Sequence, residues 1–120
     1  MSRRRKRAER YGRLAEWAAA ALLTLKGYRI EAMRFKTSLG EIDLVARRGR
    51  LLVFVEVKAR RRAEDALNAL TPRLQRRVEA AADLFRARRP NLADLDMRYD
   101  AVTVTRAGMR HLKSVWRPAA

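Results

Sequence analysis

Residues 41–47 read EIDLVAR and residues 51–58 read LLVFVEVK, with Arg48-Gly49-Arg50 between them. Two runs rich in Val, Ile and Leu around a short glycine-containing connection predict a β-hairpin. Strand side chains alternate, so Glu41 and Asp43 share one face, as do Glu56 and Lys58. Ile42, Leu44, Val53, Val55 and Val57 fall on the opposite faces and are expected to lie together. A two-residue loop at Arg48-Gly49 pairs Arg47 with Arg50 and sets Glu41 opposite Glu56; a four-residue loop sets Asp43 opposite Glu56. A regular three-residue loop would carry Asp43 onto the face of Val53 and Val55. That buries a charge in the core, so it is disfavoured without a bulge.

Both favoured registers gather three carboxylates, Glu41, Asp43 and Glu56, with the Lys58 ammonium beside them. Anions at that range repel unless something cationic sits among them. Oxygen-only ligands suit Mg²⁺ or Mn²⁺, which bind few carboxylates, keep several waters and often share a phosphate with a substrate. The other reading is a solvated hairpin face whose charges pair across the strands. Spacing alone leaves both open.

Outward from the hairpin, Thr37-Ser38-Leu39-Gly40 forms a turn and residues 28–36 a first strand. Residues 9–26 predict a helix: Leu14, Trp17, Ala18, Ala21, Leu22 and Leu25 make one apolar stripe, expected to pack on the core, and Gly27 ends it. After one or two helical turns within 59–70, Thr71-Pro72 supplies an N-cap hydroxyl and a proline at the first helical position. Leu74, Val78, Ala81, Ala82 and Phe85 then form a second stripe, stopped by Pro90. Trp17 and Phe85, lying on these stripes, read as core residues. Residues 97–105 and 109–116 predict two last strands, joined by a turn at Ala107-Gly108. The order α-β-β-β-α-β-β predicts an α/β fold, a mixed β-sheet flanked by helices. We expect a flexible basic arm at 1–8, one domain over 9–116 and a tail at 117–120. Asp100 reads as a structural partner at a strand start; His111 and Trp116 receive no role.

The chain has 120 residues, with 29 Lys+Arg against 13 Asp+Glu and a formal charge of +16. Such a charge on one small domain points to a polyanionic partner, because neutralising phosphates releases condensed counterions. The lack of cysteine excludes a disulfide framework, a thiolate zinc site and a cysteine nucleophile. One histidine, His111, argues against a Ser-His-Asp triad or a histidine-rich metal site. RRRKR at 3–7 and AAAALLTL at 18–25 imitate a signal peptide, but Glu16 interrupts the approach and no clear cleavage site follows. The apolar run is also far short of the ~20 residues of a membrane span. The expectation is a cytoplasmic protein with no membrane association.

Gly40-Glu41-Ile42-Asp43-Leu44-Val45-Ala46 and Phe54-Val55-Glu56-Val57-Lys58-Ala59-Arg60 resemble the PD-(D/E)xK nuclease superfamily. More closely, the chain is similar to the YraN-like family of small bacterial endonuclease-related proteins, relatives of archaeal Holliday-junction resolvases. The resemblance covers about residues 9–116 and includes Gly12…Glu16, Gly27-Tyr28, Thr71-Pro72-Arg73 and Arg98-Tyr99-Asp100. It implies a restriction-endonuclease-like fold and a metal-dependent endonuclease acting on structured or branched DNA. Asp43 and Glu56 are then metal ligands for Mg²⁺ or Mn²⁺, joined by the backbone carbonyl of Val57. Lys58 is the catalytic lysine, and Glu16 is the glutamate that the first helix brings to the site. The related resolvases also imply a possible homodimer. The superfamily's proline is Ile42 here, and a lysine usual in the family's second helix is Leu74. Arg60, Arg61 and Arg62 would form a basic rim for phosphates, with Arg73, Arg76 and Arg77 on the next helix as further contacts and residues 3–7 adding sequence-independent affinity. The alternative is a nucleic-acid-binding protein that keeps this fold without turnover.

Overall fold

A computed structural model of the chain describes residues 2–118. Helix α1 (Arg3–Leu25) leads into strands β1 (Arg29–Lys36), β2 (Glu41–Arg48) and β3 (Leu51–Ala59). Helices α2 (Ala63–Asn68) and α3 (Pro72–Ala87) and a 3₁₀ turn at Pro90–Leu92 follow, then β4 (Asp96–Thr105) and β5 (Gly108–Trp116). The five strands lie side by side in chain order. β3 and β4 are parallel and every other neighbouring pair is antiparallel. A parallel pair needs a crossover rather than a tight turn, and α2 and α3 supply it. The expected mixed sheet flanked by helices is therefore the observed fold, with the crossover split into two helices.

The sheet buries a core on each face. On one, Ala15, Ala19 and Leu23 of α1 pack with Leu44, Val53, Val55 and Val102. On the other, Val78, Ala82 and Phe85 of α3 pack with Ile42, Val45, Phe54 and Tyr99. Helix α3 starts as expected: Thr71 Oγ1 accepts from the Leu74 N–H at 3.2 Å, and Pro72 fills the first helical position.

Helix α1 corrects two expectations. It begins at Arg3 with Ser2 as its cap, so residues 3–8 are helical rather than a flexible arm. Met1 and residues 119–120 of the expected arm and tail lie outside the described residues. Its buried face is also not the expected stripe: Leu14, Trp17 and Leu25 are 66%, 64% and 86% exposed, whereas Ala15, Ala19, Ala20 and Leu23 are buried. A helix lying close against a sheet presents small side chains at the contact, and the alanines fill that requirement. Trp17 is thus a surface residue, while Phe85 is fully buried as expected.

The hairpin takes the register that sets Asp43 opposite Glu56, but through a shorter loop than expected. Arg48 pairs with Leu51, leaving Gly49-Arg50 as the turn, and Gly49 takes the positive φ (60°) needed at its first position. The ladder runs back to Leu44 and Val55. Beyond that pair the alternation of β2 breaks at Asp43: Ile42 joins the α3-side core and Leu44 the α1-side core. Ile42 is therefore not grouped with Val53, Val55 and Val57 as expected. In β1, Arg34 falls between the Met33–Leu44 and Phe35–Ile42 pairs and adopts φ 53°. Both strands are irregular at one level, the level of Asp43.

Candidate active site

The Asp43 backbone is tied to the Glu56 side chain, and the Asp43 side chain to the backbone of Val57. The Asp43 N–H donates to Glu56 Oε1 at 3.3 Å, and the Val57 N–H donates to Asp43 Oδ2 at 2.8 Å. Side chains thus satisfy the backbone groups where the regular ladder stops. Lys58, two residues beyond Glu56 on the same face of β3, brings its Nζ to 3.9 Å from Glu56 Oε2. The Glu56 side chain is 5% exposed and that of Lys58 18%. Burial pushes the Glu56 carboxyl well above the usual range; the Asp43 charge adds to this, and Lys58 offsets only part of it.

Two clefts open on either side of this group, and Asp43 and Lys58 line both. The α3-side cleft, about 230 Å³, is also lined by Glu41, Glu56, Arg73 and Arg77. The α1-side cleft, about 300 Å³, adds Glu16 and Arg60. Glu16 is held on α1 by an ion pair with Arg34 at 3.6 Å. Burial and the Asp43 charge raise its pKa, against the lowering effect of Arg34, Arg13 and Lys36.

The expected site residues Asp43, Glu56, Lys58 and Glu16 are therefore gathered at the end of the sheet where β2 and β3 part. Val57 lies between the two site residues of β3, and its N–H is the donor to Asp43. Glu41 lines the α3-side cleft, yet among the described residues no three acidic or histidine side chains converge as a metal-holding group. Of the expected phosphate contacts, Arg73 and Arg77 line one cleft and Arg60 the other. Arg61 lies further out beside Arg60. Arg62 is exposed and pairs with Glu64 at 3.9 Å, and Arg76 is exposed on α3; neither lines the two clefts. Leu74 forms part of the α3-side wall.

The sequence reading missed three residues. Arg34 holds Glu16, but nothing distinguishes it among 24 arginines. Gly40 lets the turn before β2 touch α3: a Cβ there would sit 1.9 Å from the Arg77 carbonyl oxygen. The position of Glu41–Asp43 against α3 depends on that missing side chain, and its only signal was the glycine after Thr37-Ser38-Leu39. His111 received no role, yet it joins a buried network remote from the clefts' lining. Fully buried Asp100 accepts two bonds from Arg98 at 2.7 Å, one from the Ser114 N–H at 2.9 Å, and lies 2.7 Å from His111 Nε2.

Fold and site together define a small mixed α/β protein with a carboxylate pair and a lysine held between two arginine-bearing clefts. The family model described as "Uncharacterised protein family UPF0102" matches residues 15–104, and the chain belongs to this family. A UPF0102 protein of Parvibaculum lavamentivorans is 54% identical over 112 residues, covering 92% of this chain and 84% of the relative. One of Chelativorans sp. is 57% identical over 100 residues (83% and 81%), and one of Maricaulis maris 48% over 119 residues (98% and 94%). The family model's match takes in Glu16, the hairpin and most of β4. These names state no activity, so the chemistry has to come from the site.

Proposed function

We propose that this protein is a PD-(D/E)xK-type endonuclease that hydrolyses phosphodiester bonds in structured or branched DNA with Mg²⁺ or Mn²⁺. The observation that carries the reading is the latch between Asp43 and Glu56, with Lys58 beside it and arginines on both flanking clefts.

The donor set fits a hard divalent cation. Two oxygen-bearing side chains face each other, and Glu56 is held above its usual pKa with a single ammonium to compensate. A divalent charge would relieve that repulsion, and two carboxylates suffice for Mg²⁺, which retains waters and shares phosphate oxygens. Asp43, Glu56 and the Val57 carbonyl would hold it. When bound, such an ion polarises a phosphoryl oxygen and lowers the pKa of a bound water.

The chain's own residues do the rest. The Val57 N–H fixes one Asp43 oxygen, leaving the other available. Lys58, which lines both clefts, positions the attacking water or balances charge developing on the phosphate. Glu16 faces the same cleft as Asp43 and completes the acidic side of the site. Arg73 and Arg77 on one wall and Arg60 on the other hold flanking phosphates.

The test is Lys58→Ala, with cleavage and binding measured on the same DNA. A catalytic lysine predicts cleavage reduced at least about 100-fold, with affinity within about threefold of wild type. Equal loss of both would assign Lys58 to binding, as expected of a protein that holds nucleic acid without turning it over.

A further inference from the structure

The α1-side cleft continues past the catalytic group into an outer groove of about 370 Å³, and Tyr11, Ala59 and Arg60 line both. Tyr11 is 54% exposed at this junction, five residues before Glu16 on α1. The neighbouring wall is built from small residues: Ala8, Gly12 and Ala15 on the helix and Ala59 on the strand. Gly12 leaves open space, since a Cβ there would meet nothing within 4 Å. Arg61 and Arg106 line the outer groove, whose lining contains no carboxylate. Backbone bonds fix that wall: the Arg60 N–H donates to the Val104 carbonyl at 3.0 Å, and the Arg106 N–H to the Arg61 carbonyl at 3.2 Å.

We propose that this groove takes an unpaired nucleotide of a DNA strand beside the scissile phosphate, its base stacking on Tyr11 and its phosphates held by Arg60, Arg61 and Arg106. The inference rests on the nuclease reading of the adjoining site and names the form of its substrate. An exposed aromatic ring beside small residues, opening on a groove lined by three arginines and no carboxylate, is the chemistry of a single-strand platform. Bases inside a duplex have their faces covered by neighbours and gain nothing from such a ring. A strand leaving a junction, flap or end offers an uncovered face. Tyr11 is thus a binding residue that selects unpaired DNA.

The test compares wild type, Tyr11→Ala and Tyr11→Phe for binding to an oligothymidylate strand and to a duplex of equal length at one salt concentration. Tyr11 is exposed, so circular dichroism should show all three folded alike. We expect Tyr11→Ala to lose about tenfold in single-strand affinity, Tyr11→Phe to keep it, and duplex affinity to change less than about twofold. A strand carrying 2-aminopurine should be quenched by wild type but not by Tyr11→Ala. Unchanged single-strand affinity in Tyr11→Ala, or an equal drop for both forms, would overturn the inference. If Asp43-dependent cleavage persists in that case, only the platform is lost. If wild type binds neither form, the nuclease reading fails with it.

Discussion

Gly40 and Asp100 show how single residues hold this molecule. At Gly40 the backbone of one element touches the backbone of another, and a methyl group has nowhere to go: its carbon would lie 1.9 Å from the Arg77 oxygen. Neither strand nor helix moves freely, so Gly40→Ala should destabilise the fold by about 1–3 kcal/mol or more in urea unfolding. An unchanged midpoint would contradict the contact. Asp100 holds Arg98, His111 and the Ser114 backbone in the core. Burial by itself would raise its pKa, but the bonds from His111, Arg98 and Ser114 outweigh it and the net direction is down. A depressed folded pKa stabilises the protein above the ordinary value of 3.8 and loses that contribution as pH falls through the folded value. Asp100→Asn should therefore cost about 3 kcal/mol at neutral pH, and the gap to wild type should narrow only in strong acid. A gap independent of pH down to 2 would refute it. Asp43, Glu56 and Lys58 were legible because charges inside valine-rich strands are conspicuous. Asp100 was legible as a structural partner, though it sits within β4 rather than at its start. What it holds, and the contact at Gly40, were not legible, because His111 and Arg77 are distant in the chain and only the fold brings them close.

Among the elements, the hairpin and α1 make opposite cases. Alternation in residues 41–58 favoured registers with the acidic side chains together, and the observed pairing, which ends at Leu44 and Val55, has the register that brings Asp43 next to Glu56. What alternation could not reveal was the break at Asp43, where Ile42 and Leu44 enter different cores. Helix α1 carries apolar residues around most of its circumference between Leu14 and Leu25, so periodicity offers more than one face. The largest residues suggested one stripe, whereas close packing on the sheet selected the alanines and Leu23. Leu23→Ala should cost about 2–5 kcal/mol, because it empties a fully buried position, while Trp17→Ser should stay within about 0.5 kcal/mol of wild type. Thermal or urea unfolding of the two variants reads this directly; the reverse order would restore the stripe read from the sequence.

Over the whole molecule, a charge of +16 coexists with a local acidic pair, and the two make sense together at one place. A general polyanion binder gains nothing from carboxylates beside its phosphates, but a site that holds a divalent cation needs them. The fold achieves the juxtaposition by parting β2 from β3 at Asp43 and laying α1 and α3 across the opening, so that each helix brings cleft-lining side chains to the same group. The overall architecture was legible from the order of helical and strand patterns; the two-sided character of the site was not, since it depends on where the helices cross the sheet. The most direct measurement is cleavage of labelled duplex, single-stranded and four-way-junction DNA with Mg²⁺ or Mn²⁺, wild type against Asp43→Ala. We predict metal-dependent cutting by the wild type, strongest where the DNA has unpaired or branched segments, and its loss in the variant. Tight binding with no cutting of any of the three, or cutting that survives Asp43→Ala, would contradict the account.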